Sequence, residues 1–186
     1  MAKTLIKTLT ASGDSELDFV DGTDDVVMDN TYDVYEFHFV NMHPASEDGE
    51  NRIFMFQVNA DGASGFNETI TSTYFDAWHN EAGSSTSLGY RTAQDQGQGT
   101  AYQPLVYGAG ADNDQSCSGV LTLYAPASTT YVKHFTAVVN GTYLYDYFMN
   151  ARIAGYINTT SAIDEISFKF NGSNIDAGVI KMFGVS

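Results

Sequence analysis

Apolar and polar residues alternate with a period of two along most of this chain, the mark of strands half buried on a pleated sheet. In DVYEFHFVN, Tyr35, Phe37 and Phe39 point one way while Glu36 and His38 point the other. In NRIFMFQVN, Phe54, Phe56 and Val58 share a face, with Gln57 off it. In IDEISFKFN, Ile166, Phe168 and Phe170 alternate with Ser167 and Lys169. LIKTLT, SELDFV, STYFDAWH, SGVLTLYA, YVKHFTAVV, YFMNARIAGYI and AGVIKMFGV read as further strands. Residues 84–116 break the pattern with Gly, Gln and Ser, and read as a long excursion holding one or two short strands. No segment sustains a 3.6-residue apolar period, so little helix is expected.

Turn chemistry falls between these runs. Asp61-Gly62, Asn140-Gly141 and Asn171-Gly172 offer the positive φ angles of tight turns, and HPASEDGEN reads as another turn. About ten strands without a linker predict an all-β fold: a single antiparallel β-sandwich, jelly-roll-like, with an immunoglobulin-like arrangement as the alternative. Residues 1–10 are expected to form an N-terminal strand or arm, and residues 11–186 the sandwich.

Composition agrees. Tyr, Phe, Val, Thr and Gly are abundant, and such side chains suit a half-buried sheet. The 186 residues fit one domain. Eight Lys and Arg stand against 23 Asp and Glu, a formal net charge of -15. With the cations scattered singly, direct nucleic-acid binding is not expected. No apolar run approaches membrane-span length and no signal-peptide core is evident at the start, so no membrane partner is expected. Cys117 stands alone, which precludes an intramolecular disulfide or a Cys-based zinc site. The Asn-x-Ser/Thr triplets at Asn67, Asn140, Asn158 and Asn171 read as turn residues.

Candidate chemistry is sparse. YFDAWHNEA gathers Asp76, Trp78, His79 and Glu81, but a strand puts Tyr74, Asp76 and Trp78 on one face and Phe75, His79 and Glu81 on the other. Asp76 and His79 then cannot share a metal, and no catalytic or metal-ligating residue is assigned. The acidic run DFVDGTDDVVMDN departs from the EF-hand order. GADNDQS, with Asp112, Asn113 and Asp114, is the better calcium candidate, although no cofactor is assigned. Tyr143, Tyr145 and Tyr147 alternate with Leu144 and Asp146. Together with Trp78 they are the candidate contact residues, able to pack on a neighbouring subunit or stack on sugar rings.

The order of segments carries a resemblance over Leu5 to Val185. NTYDVYEFHFVNMHPAS, TSTYFDAWHNEA, SGVLTLYAPASTTYVKHFTA and AGYINTTSAIDEISFKF, closing on GSNIDAGVIKMFGV, resemble structural proteins of tailed, especially marine, bacteriophages. The resemblance implies a non-enzymatic, jelly-roll-like subunit of the virion, assembled in the host cytoplasm. Head decoration or capsid fibre is favoured over tail. It also implies partners among other virion proteins and other copies of itself, with a trimer favoured, and KTLIKTLT available for edge pairing. The rival expectations are a carbohydrate-binding host-recognition module and a hydrolase with two facing carboxylates.

Overall fold

The computed structural model describes residues 2–186 and contains thirteen strands. They are β1 (Lys3–Ala11), β2 (Leu17–Val20), β3 (Val34–Pro44), β4 (Phe54–Ala60), β5 (Ile70–Asn80), β6 (Thr86–Tyr90) and β7 (Gly97–Gly99), followed by β8 (Gln103–Val106), β9 (Cys117–Tyr124), β10 (Lys133–Tyr143), β11 (Tyr147–Ile157), β12 (Ile163–Phe170) and β13 (Ile175–Val185). All pairings between them are antiparallel. One sheet runs β1-β13-β3-β9-β10-β11-β5-β6, with β7 also paired to β5; the other runs β2-β12-β4-β8.

The pairs β1·β13, β2·β12, β3·β9 and β4·β8 nest one inside the next. A long antiparallel ribbon rolled so that its successive pairs fall alternately in two sheets is a jelly roll, and it is the topology found here. Two insertions widen it. β5, β6 and β7 lie between β4 and β8 in sequence, and the β10–β11 hairpin lies between β9 and β12. In space β10, β11, β5 and β6 extend the larger sheet beyond β9.

The core between the sheets is a knot of phenyl rings. Phe168 of β12 sits at 6.3, 5.4, 5.1, 6.3 and 6.4 Å from the rings of Phe19, Phe37, Phe39, Phe54 and Phe56. Tyr35, Phe37 and Phe39 are buried as their alternation requires, while outward Glu36 accepts from Lys3 at 2.6 Å and pairs with His38 at 2.6 Å.

Several local expectations change. The strand expected at residues 1–10 is present, but it is not an arm apart. It pairs with β13 along its length as the edge of the larger sheet. Residues 84–116 hold three short strands, not one or two. Asn140-Gly141 is no turn but runs through β10, where a Cβ on residue 141 would come within 2.9 Å of Val106. That glycine serves close packing. The turn lies at 144–146, where Asp146 takes a positive φ of 57° in a three-residue loop.

Gln57 does lie opposite Phe56, but it is fully buried because loops cover the outer face of the smaller sheet. Its Nε2 donates to the carbonyls of Glu68, Thr100 and Ala101 at 3.0, 3.2 and 3.0 Å. Arg52 is buried as well, donating to the carbonyls of Ser46 and Asn171. Burial without such partners would be costly, so these side chains pin the irregular loops to the sheet.

Candidate aromatic cleft

The widened end of the larger sheet carries a cleft of about 630 Å³. Its floor is built by alternation on three neighbouring strands. β10 ends on Tyr143, β11 begins on Tyr147 opposite it, and β5 contributes Trp78 beside Tyr147. Tyr147 stacks on Trp78 at 5.0 Å with planes 8° apart, and on Tyr143 at 5.8 Å and 17°. The rings form a row across the sheet, with Tyr147 between its two partners.

All four contact residues expected from sequence therefore converge, although not as expected. Tyr143, Tyr145 and Tyr147 do not share one strand face. They straddle the hairpin turn, which brings Tyr145 to 5.7 Å from Tyr143 and leaves it 60 % exposed. The row also redefines what the rings offer. Tyr147 spends its faces on neighbouring rings, whereas Tyr145 and the outer side of Trp78 remain for contact.

The walls come from residues that alternation alone does not single out. Tyr90 and Arg91 follow from β6, Tyr107 follows β8, and Glu50 lies in the β3–β4 loop. Backbone bonds tie the pieces together: Gly108 N–H donates to the Glu50 carbonyl at 3.2 Å, and Leu144 N–H donates to the Gly108 carbonyl at 3.0 Å. Gly108 has a φ of 62° and meets the Tyr143 ring so closely that a Cβ would overlap it. Tyr90 donates its hydroxyl to Asp95.

Behind the wall lies Asp76, with no exposed surface. Arg91 Nε donates to both of its oxygens, at 2.9 and 3.1 Å, and the Tyr107 hydroxyl donates at 2.9 Å. A buried carboxylate needs such partners. The arrangement fixes the Arg91 guanidinium against the cleft and 5.9 Å from the Tyr107 ring centre. Burial, reinforced by the Asp76 carboxylate, pushes the Tyr107 phenol well above its ordinary range. Burial and the nearby Glu50 do the same to Tyr143. Both hydroxyls stay protonated and able to donate at any physiological pH.

Asp76 and His79 do lie on opposite faces. His79 is exposed, with its ring bound to the Asn80 carbonyl, and Glu81 opens the following turn. Asp112, Asn113 and Asp114 sit in the β8–β9 loop, where the Asp112 carbonyl contacts His43 at 3.2 Å. Among the described residues, no three His, Cys, Asp or Glu side chains are grouped to hold a metal ion. Cys117 opens β9, and burial raises its thiol far above the usual range.

No protein-family model matches the chain, and neither does any curated protein or solved structure. The likeness to phage structural proteins thus rests on the sequence segments alone.

The reverse face of the same strands differs in chemistry. Phe75, Leu88 and Phe148 are 42, 74 and 54 % exposed, arranged around Ala77, which pairs directly with Leu88. Val138 of β10 is 38 % exposed and pairs with Arg152, which pairs in turn with Phe75. Not one outward residue of β5, β6, β10 or β11 is an Asp or Glu, in a chain of net charge -15.

Proposed function

We propose that this chain is a non-enzymatic surface subunit of a bacteriophage particle, a head decoration or capsid fibre protein that works by binding copies of itself and other virion proteins. The observation that carries the reading is the outer face of β5, β6, β10 and β11, whose own outward residues include Phe75, Leu88, Val138 and Phe148 and no Asp or Glu. Elsewhere the acidic surface makes copies repel. Here they can approach without burying an unpaired carboxylate, and the apolar side chains gain by leaving water. A compact jelly roll widened on one side suits such lateral association, and a closed trimer is the preferred product.

Light scattering on the purified chain tests the assembly. A trimer that the pair Leu88→Glu and Phe148→Glu converts to a folded monomer supports it, and a wild-type monomer at high concentration overturns it. Mass spectrometry of purified particles of the encoding phage tests the location. The virion assignment fails if the chain is missing from them.

A further inference from the structure

The aromatic cleft lies on the opposite face of the sheet from the proposed assembly surface and is not needed for it. We propose that this cleft binds a short carbohydrate, a chain of pyranose rings. Three features point to that ligand class.

The first is the kind of surface. Rings of Trp78 and Tyr145 border the cleft, and Tyr145 is 60 % exposed. Ordered aromatic rings that stay in contact with water favour a partner with an apolar face and a polar edge. A pyranose has both, with C–H groups on its faces and hydroxyls around its rim.

The second is the mixture of donors and acceptors. Arg91 uses Nε to hold Asp76, so its two Nη groups are not consumed by that pair. The guanidinium is oriented by a carboxylate that has no solvent exposure, and is therefore set in place before any ligand arrives. Glu50 supplies a carboxylate acceptor, and the Tyr107 hydroxyl, whose one proton is committed to Asp76, can still accept a hydrogen bond from a ligand. Arg91 set against Asp76 and Glu50 leaves the cleft about one net negative charge, which suits neutral hydroxyls better than phosphates or an acidic peptide.

The third is size. About 630 Å³ lies in the range of small-ligand sites and accommodates a short oligosaccharide. The floor is a stacked row fixed on three adjacent strands, and so does not have to be ordered on binding.

The chain carries its own reporter, because Trp78 is its only tryptophan and forms part of the floor. The experiment titrates the whole protein with a panel of neutral α- and β-linked oligosaccharides of glucose, galactose, mannose and N-acetylhexosamines, following tryptophan emission. Uronic-acid oligosaccharides and a mixed acidic peptide form separate arms. The expected result is a saturable change with at least one neutral glycan. Tyr145→Ala weakens it roughly tenfold, the size of one lost aromatic contact. Phe148→Ser, on the other face, leaves it unchanged.

Tyr145 is exposed, so its variant should melt like the wild type, and Arg91→Lys supplies a second variant that keeps the charge but loses the fixed fork. The proposal is overturned if no neutral glycan on the panel gives a saturable change. It is also overturned if only the uronic acids or the peptide bind, or if binding persists unaltered in Tyr145→Ala and Arg91→Lys alike. Sizing is read separately, so loss of glycan binding and loss of assembly cannot be confused.

Discussion

The larger sheet has two halves that solve different problems. On one side, β1, β13, β3 and β9 are backed by the smaller sheet across the knot of rings around Phe168. On the other, β10, β11, β5 and β6 carry an ordered aromatic cleft inside and, outside, exposed apolar side chains set among Arg152, Asn150 and His79. The first half buries most of its aromatic side chains, although Tyr124 is 40 % exposed, whereas the second buries Tyr74 and Phe135 but leaves Phe75, Tyr90 and Phe148 open. The contrast separates stability from recognition: the same residue type, Phe or Tyr, is worth most to folding in one half and most to contacts in the other.

The sharpest way to break that contrast is to truncate one ring in each half. Phe168→Ala should cost about 3–5 kcal/mol in a denaturant titration, because it removes a ring that touches five others. Next comes Asp76→Ala, which strands Arg91 and Tyr107 behind the cleft. It should cost about 1–3 kcal/mol and loosen the cleft, seen as a shift in Trp78 emission.

Alkaline titration sharpens the comparison in another way. Burial, with Asp29 beside it, pushes Tyr35 up to about 12, and burial also raises Tyr74, Tyr107 and Tyr143. A phenol whose folded value exceeds its unfolded value binds protons more tightly in the native state. Its stabilisation is complete below about pH 10 and is lost as pH rises through the folded value. Tyrosinate absorbance should therefore lag behind that of the denatured chain, and unfolding should follow above pH 10. Three of these four tyrosines lie in or beside the cleft and keep their protons in the native state, so Trp78 emission should hold its native value until global unfolding.

Smaller effects complete the series. Asp18 is raised mainly by burial, although a Ser167 hydrogen bond opposes the shift, and its Oδ1 is buried without a partner. For a raised carboxylate the native state is relatively favoured by protonation, so Asp18→Asn should stabilise at neutral pH by ~0.5 kcal/mol. That gain should shrink as pH falls towards 4, measurable by melting at a series of pH values. Smallest of all, Phe148→Ser should change monomer stability by no more than about 0.5 kcal/mol, since the ring lies on the open face.

Much of the fold was legible in the sequence because strand alternation is a local property. Tyr35, Phe37, Phe39, Phe54, Phe56, Ile166 and Phe168 are buried where period two places them. The strand order was not legible, since the nesting of β1 with β13 depends on contacts between distant segments. Gln57 and Gln103 were also hidden. Each is buried only because an irregular segment folds over it, and Gln103 is held by Ser72 at 2.6 Å and by the Gln94 carbonyl.

The cleft was half legible. Trp78 and the three tyrosines stood out by type, but Arg91, Tyr107, Tyr90 and Glu50 arrive from separate loops. One clue was available: Asp76 lies on the inward face of its strand with Tyr74, and a charge in that place calls for a partner. Asn140-Gly141 misled because the same dipeptide serves a turn or a close contact, and only Val106 across from it decides which.

The nested pairing also has a consequence in time. β1 is made early but completes its ladder only once β13 exists, and the backbone groups of Ala2 and Ser186 then bond to each other at 3.0 and 3.2 Å. A chain so dependent on its most distant pair has high contact order and folds slowly compared with one built from local hairpins. The β10–β11 hairpin, joined by three residues, can form early and wait. Until β13 docks between them, the edges of β1 and β3 are exposed, so the newly made protein is most vulnerable to aggregation just before that strand docks.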